Sequence, residues 1–155
     1  MYRHMLFVFL LISACTARTE TSDNILRWDV KQDLDPVYVM VYRALEKHKF
    51  FVIFEPNIGR NLTGFAARWG EDYNRNQLDQ IRAMVICNIW YTNQIANKDP
   101  DMLSLCPLTV TLFEKDGSST VLFPRPTALA GESPARPVLQ EVEDKIIAAI
   151  REGLE

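Results

Sequence analysis

The sequence predicts an α+β fold for residues 25–155: a two-layer sandwich of a mainly antiparallel five-stranded sheet and about four helices. Three observations lead there. Short runs rich in β-branched and aromatic residues recur at 25–30, 50–54, 83–87, 108–113 and 120–123. Apolar stripes at helical spacing stand near both ends of this region. Asp116-Gly117 separates the last two runs, and this dipeptide between alternating apolar residues is the strongest short hairpin signal. At least that pair should therefore run antiparallel.

The elements follow in order. A first strand at 25–30 carries Trp28. Asp35-Pro36 then opens a helix, because Asp accepts from free amides and Pro tolerates the first helical position. Val37, Met40, Val41, Ala44 and Leu45 mark its buried face, with His48 one turn further on the same stripe. The dense run 50–54 reads as a buried strand. Asn57 caps a second helix with an apolar face of Ile58, Leu62, Phe65, Ala66 and Trp69, stopped at Gly70. A polar connection leads to the strand 83–87. Asn88 then caps a third helix that runs through Ala96, before Asn97-Lys98-Asp99-Pro100. The strand 108–113 alternates apolar residues with Thr and turns at Asp116-Gly117 into 120–123. Residues 124–137 hold four of the eight prolines and read as a long loop. Val138, Val142, Ile146, Ala149 and Ile150 line a terminal helix, whose early acids Glu141, Glu143 and Asp144 suit the helix dipole.

The first residues have a different logic. Met1-Tyr2-Arg3-His4 precedes an apolar run at 5–12, then Ser13-Ala14-Cys15. A basic start, a short apolar core and small residues before a cut site predict a signal peptide over 1–14. The run is too short for a hydrocarbon layer of about 30 Å. Leu11-Ile12-Ser13-Ala14-Cys15 resembles the lipobox of bacterial lipoproteins, in which the Cys is acylated and becomes the first mature residue. That resemblance implies a membrane anchor on Cys15, and each buried methylene of an acyl chain adds about 0.8 kcal/mol. Thr16 stands where Asp resembles an inner-membrane retention signal, so by the same resemblance the expected location is the outer membrane, facing the periplasm, in a host with two membranes. Residues 15–24 are polar after the Cys and read as a lipidated tether.

Charge narrows the partners. The chain carries 17 Lys+Arg against 20 Asp+Glu, a net −3, and loss of Arg3 with the signal peptide makes it −4. No basic cluster stands out, so nucleic acid is not an expected partner.

The segment from Trp28 to the C-terminus resembles the bacterial family known as domain of unknown function 302. The matching order is a helix ending in Lys49-Phe50-Phe51-Val52, a strand and a helix. An apolar strand ending Val85-Ile86-Cys87-Asn88 follows, then Leu105-Cys106-Pro107 before a strand that turns at Asp-Gly. Two departures stand out: Ile89 follows Asn88 where the family pattern has Pro, and Cys106 interrupts its Leu-Pro element. The resemblance implies an α+β fold that often dimerises and carries no settled activity.

Candidate chemistry is sparse. Cys87 and Cys106 flank 18 residues and are open to four readings: a disulfide, a redox dithiol, two soft ligands for Cu(I) or Zn, or separate buried thiols. No Cys-x-x-Cys is present to depress a thiol pKa. Zinc wants four ligands, and past the signal peptide only His48 remains of the two histidines, so no resident metal or cofactor is expected. A disulfide needs Cα atoms within roughly 7 Å, which requires the two strands to meet at the same end. Asn88, Trp90 and Tyr91 begin a helix at a strand end and are candidates for the mouth of a small-ligand pocket. His48 alone suits a helix end better than a general base. Glu55, Glu71 and Asp72 have no pairing that catalysis would need. Residues 59–64 imitate a phosphate loop, but Phe65 stands where Lys must hold the phosphates. The reading is a lipid-anchored envelope module that binds a small ligand or a protein and contains no catalytic set. The alternative is a periplasmic thiol-redox or metal-handling accessory using Cys87 and Cys106.

Overall fold

The computed structural model describes residues 23–155. The expected signal peptide over 1–14, Cys15 and the expected tether up to residue 22 lie outside the described residues. Five strands form one sheet: β1 (Ile25–Val30), β2 (Phe51–Phe54), β3 (Gln80–Cys87), β4 (Leu108–Lys115) and β5 (Ser118–Pro124). Their order is β1-β5-β4-β3-β2, with every neighbouring pair antiparallel. Asp116 and Gly117 both take positive φ, 51° and 68°, as a two-residue hairpin turn demands. The α+β expectation holds.

Two long helices cover one face. In α1 (Leu34–Lys47), Leu34, Val37, Tyr38, Val41, Ala44 and Leu45 are buried. In α6 (Arg136–Leu154), Leu139, Val142, Glu143, Ile146, Ala149 and Ile150 are buried. The two helices pack on each other and on the inward residues Met84, Ile86, Val110, Leu112, Val121 and Phe123. These alternate along β3, β4 and β5, as the strand period requires. Met40 and Val138 stand at the rim of the stripes and are only partly buried.

The helix expected over 57–70 is broken. Asn57 caps it as expected, accepting from Arg60 N at 2.9 Å, but α2 (Ile58–Thr63) stops before Gly64, and α3 (Ala66–Trp69) follows. None of its residues is buried. With two glycines and an apolar face only half-covered by β3, little holds one continuous helix together. Phe65 and Trp69 stack on each other instead, 5.1 Å apart and largely exposed.

The hairpin β4–β5 does not supply a sheet edge: β3 covers β4, and β1 covers β5. The edges are β1 and β2. Along β2, Val52 N is capped by Oε1 of Glu46 at 2.8 Å. A carboxylate on an outward amide blocks strand addition there.

Residues 124–137 are packed, not merely looped. They contain α5 (Pro126–Leu129), and Pro126, Thr127, Ala130 and Ala135 are buried. Ala130 and Ala135 join Ile95 and Leu139 in a second small core.

Candidate functional site

Antiparallel pairing of β3 and β4 brings the end of one beside the start of the other. Ile86 faces Leu108, so Cys87 and Cys106 converge at the same sheet end. There α4 (Ile89–Lys98) and α6 close a pocket lined by Phe50, Ile86, Ile95, Leu139 and Val142, with both cysteines in its wall. The two strands meet at the same end, as a thiol pair requires. The sulfurs are free thiols, each half-buried.

Thr92 links the two cysteines. Its Oγ1 lies 3.7 Å from Cys87 Sγ, and the same side chain hydrogen-bonds Cys106. The Thr92 hydroxyl also donates to Asn88 O at 3.1 Å, one turn back in α4. Burial pushes the Cys106 thiol above its usual range; the Thr92 bond opposes this and the nearby Cys87 adds to it. A thiol raised this way holds its proton at neutral pH and is a slow nucleophile. Thr92 was not singled out from sequence, although its position five residues after Cys87 and three before Ile95 is visible there.

The proposed mouth residues divide. Asn88 caps α4, its Oδ1 accepting from Tyr91 N at 3.2 Å, while its Nδ2 donates to Lys49 O at 3.0 Å. Tyr91 stacks on Phe50 with ring centroids 6.1 Å apart and donates to Glu141 Oε1 at 2.6 Å. Its phenol is pushed up to about 12, by burial first and by Glu141 second. Trp90 does not join them: it is 66% exposed. Ile95 fixes the inward face of α4, and Tyr91 and Thr92 lie four and three residues before it. Trp90, five residues before, falls on the outward side.

Size limits the occupant. The cavity holds about 20 Å³, little more than one water needs. Organic ligands occupy pockets of about 300–1,000 Å³. The space between the thiols therefore suits an ion or one small molecule.

The other sequence candidates take local roles. His48 closes the C-terminus of α1 and sits 2.8 Å from Oε2 of Glu152. Glu55 accepts from Tyr38 OH at 2.7 Å. Arg82 lies over the Tyr38 ring, 3.6 Å from its centroid. Burial and then the Glu55 bond raise the Tyr38 phenol, so it stays a donor. Asp72 pairs with Arg75 at the surface. Among the described residues no group of three or more His, Cys, Asp or Glu side chains gathers, and no helix is long and apolar enough to cross a membrane.

A family model described as "Domain of unknown function DUF302" matches residues 26–153. The fold is similar to that of an uncharacterized conserved DUF302 protein from Bacillus stearothermophilus, solved by crystallography. The TM-score is 0.73 at 16% identity, covering 84% of this chain and 98% of that one. No curated protein matches the chain.

Proposed function

Since the chain belongs to the DUF302 family, whose description names no activity, we propose that it is a lipid-anchored envelope module that works by protein contact and not by catalysis. One observation carries this reading. At the corner where β2 meets the start of α4, Phe51, Ile53, Phe54, Ile89 and Trp90 are 48%, 59%, 62%, 82% and 66% exposed. Phe51 is the Cα partner of Cys87, two residues before Ile89, so these side chains belong to one region. Contiguous large apolar groups in water mark contact surfaces. The cavity between the thiols is too small for an organic ligand, and this corner is the binding feature we assign.

The anchor suits that surface. A tether from Cys15 would join the domain at β1, and β2 is the opposite edge, four strand spacings of about 4.8 Å away. The apolar corner then lies at the sheet edge away from the point where the tether would enter. The first occupant we assign is a second copy of this chain.

A fatty-acid probe should label the wild type and not Cys15→Ser; a label that survives the substitution removes the anchor. A photo-crosslinker at position 90 should give a discrete protein adduct in intact cells, while one at exposed Lys145 should not. Equal, diffuse labelling from both positions would end the contact reading.

A further inference from the structure

We propose that Cys87 and Cys106 together form a two-coordinate site for monovalent copper, with Thr92 as its outer partner. Three features converge on that occupant. The antiparallel β3–β4 pair delivers two thiols to one cavity, and both meet the same hydroxyl. The cavity, about 20 Å³ and walled by Phe50, Ile86, Ile95 and Leu139, admits an ion and little else. Thiolates are soft ligands and select Cu(I) among biological cations. Zinc wants four donors, and no third His, Cys, Asp or Glu joins the pair among the described residues.

The chemistry balances without a redox step. Two Sγ–H groups lose their protons to solvent, two Cu–S bonds form, and copper stays monovalent. Affinity therefore rises with pH, because the metal must displace both protons.

The test uses the full chain carrying Cys15→Ser, leaving two of its three cysteines, titrated anaerobically with Cu(I) against a colorimetric chelator. One copper per chain is expected, with x-ray absorption showing two sulfur neighbours. Cys87→Ala and Cys106→Ala should each abolish stoichiometric binding while circular dichroism remains that of the folded parent. Thr92→Val should weaken binding about tenfold, as loss of an outer-shell partner does. The assignment is overturned if the folded, reduced protein retains no copper, or if either alanine variant binds as the parent does. It is equally overturned if a disulfide between the two cysteines persists under the reductant that keeps copper monovalent, since no thiolate is then free to bind.

Discussion

Arg125 Nε lies 2.7 Å from Oε1 of Glu143, and Glu143 is completely buried on the inward stripe of α6. The other oxygen, Oε2, accepts from Thr127 Oγ1 at 2.5 Å and from Thr127 N at 3.2 Å. One carboxylate thus ties residues 125–127 to the terminal helix. Arg125→Leu should lower stability by about 3 kcal/mol, because it strands a buried charge. Replacing both partners, Arg125→Leu with Glu143→Leu, should cost much less than the sum of the single changes. Urea midpoints of the four proteins in that cycle measure this directly; simple additivity would show that the pair is not coupled.

A second ion pair gives a pH signature. His48 and Lys47, at the end of α1, bond the Glu152 carboxylate of α6. The His48 hydrogen bond first, and the Lys47 bond second, hold that carboxyl below its ordinary value. A group lowered in the folded state adds stability above its unfolded pKa, about 4.3 for Glu. That contribution disappears as pH falls through the lower folded value. Wild type should therefore lose more stability than Glu152→Gln between about pH 6 and about pH 3. Parallel curves for the two proteins over that range would remove the effect.

How much of this was legible depends on what each signal reports. The stripes of α1 and α6 and the Asp116-Gly117 turn were readable because period and turn chemistry are local properties. The break at Gly64 was not, since whether an apolar face finds a partner is decided by distant packing. Glu143 was read only as an acid in the first turns of a helix. Yet it sits four residues after Leu139 and three before Ile146, on the buried stripe, so an acid at that position already signalled a satisfied interior charge. The cysteine pair was half legible: the residues could be named, while their meeting depended on β3 and β4 being neighbours. Residues 124–137 misled because proline richness describes backbone restriction and says nothing of burial.

The crossing of the two long helices depends on Gly153. A Cβ there would stand 3.0 Å from Met40 O and 3.1 Å from Ala44 Cβ. Gly153→Val adds more bulk against that backbone and should cost about 1–3 kcal/mol. A chemical-denaturation midpoint equal to the parent's would mean that the last turn of α6 rotates aside freely.

The final prediction concerns self-association. Strand pairing along β2 is obstructed, because Glu46 already occupies the outward amide of Val52, so a second copy must meet side chains and not backbone. Phe51 and Phe54 oppose Cys87 and Val85 across the β2–β3 pair. Both are largely exposed, as are Ile89 and Trp90 at the same corner. Burying such rings gives about 25 cal/mol for each Å² removed from water, so a few aromatic anchors decide whether a dimer holds. Light scattering of the full chain carrying Cys15→Ser should report a dimer at tens of micromolar (on the order of a stable contact's working range). Phe54→Asp together with Trp90→Asp should give a monomer with unchanged circular dichroism. Glu46→Ala should leave the dimer intact, since the uncapped edge is not the contact. A monomeric parent, or a dimer that survives the paired aspartates, would refute the apolar corner.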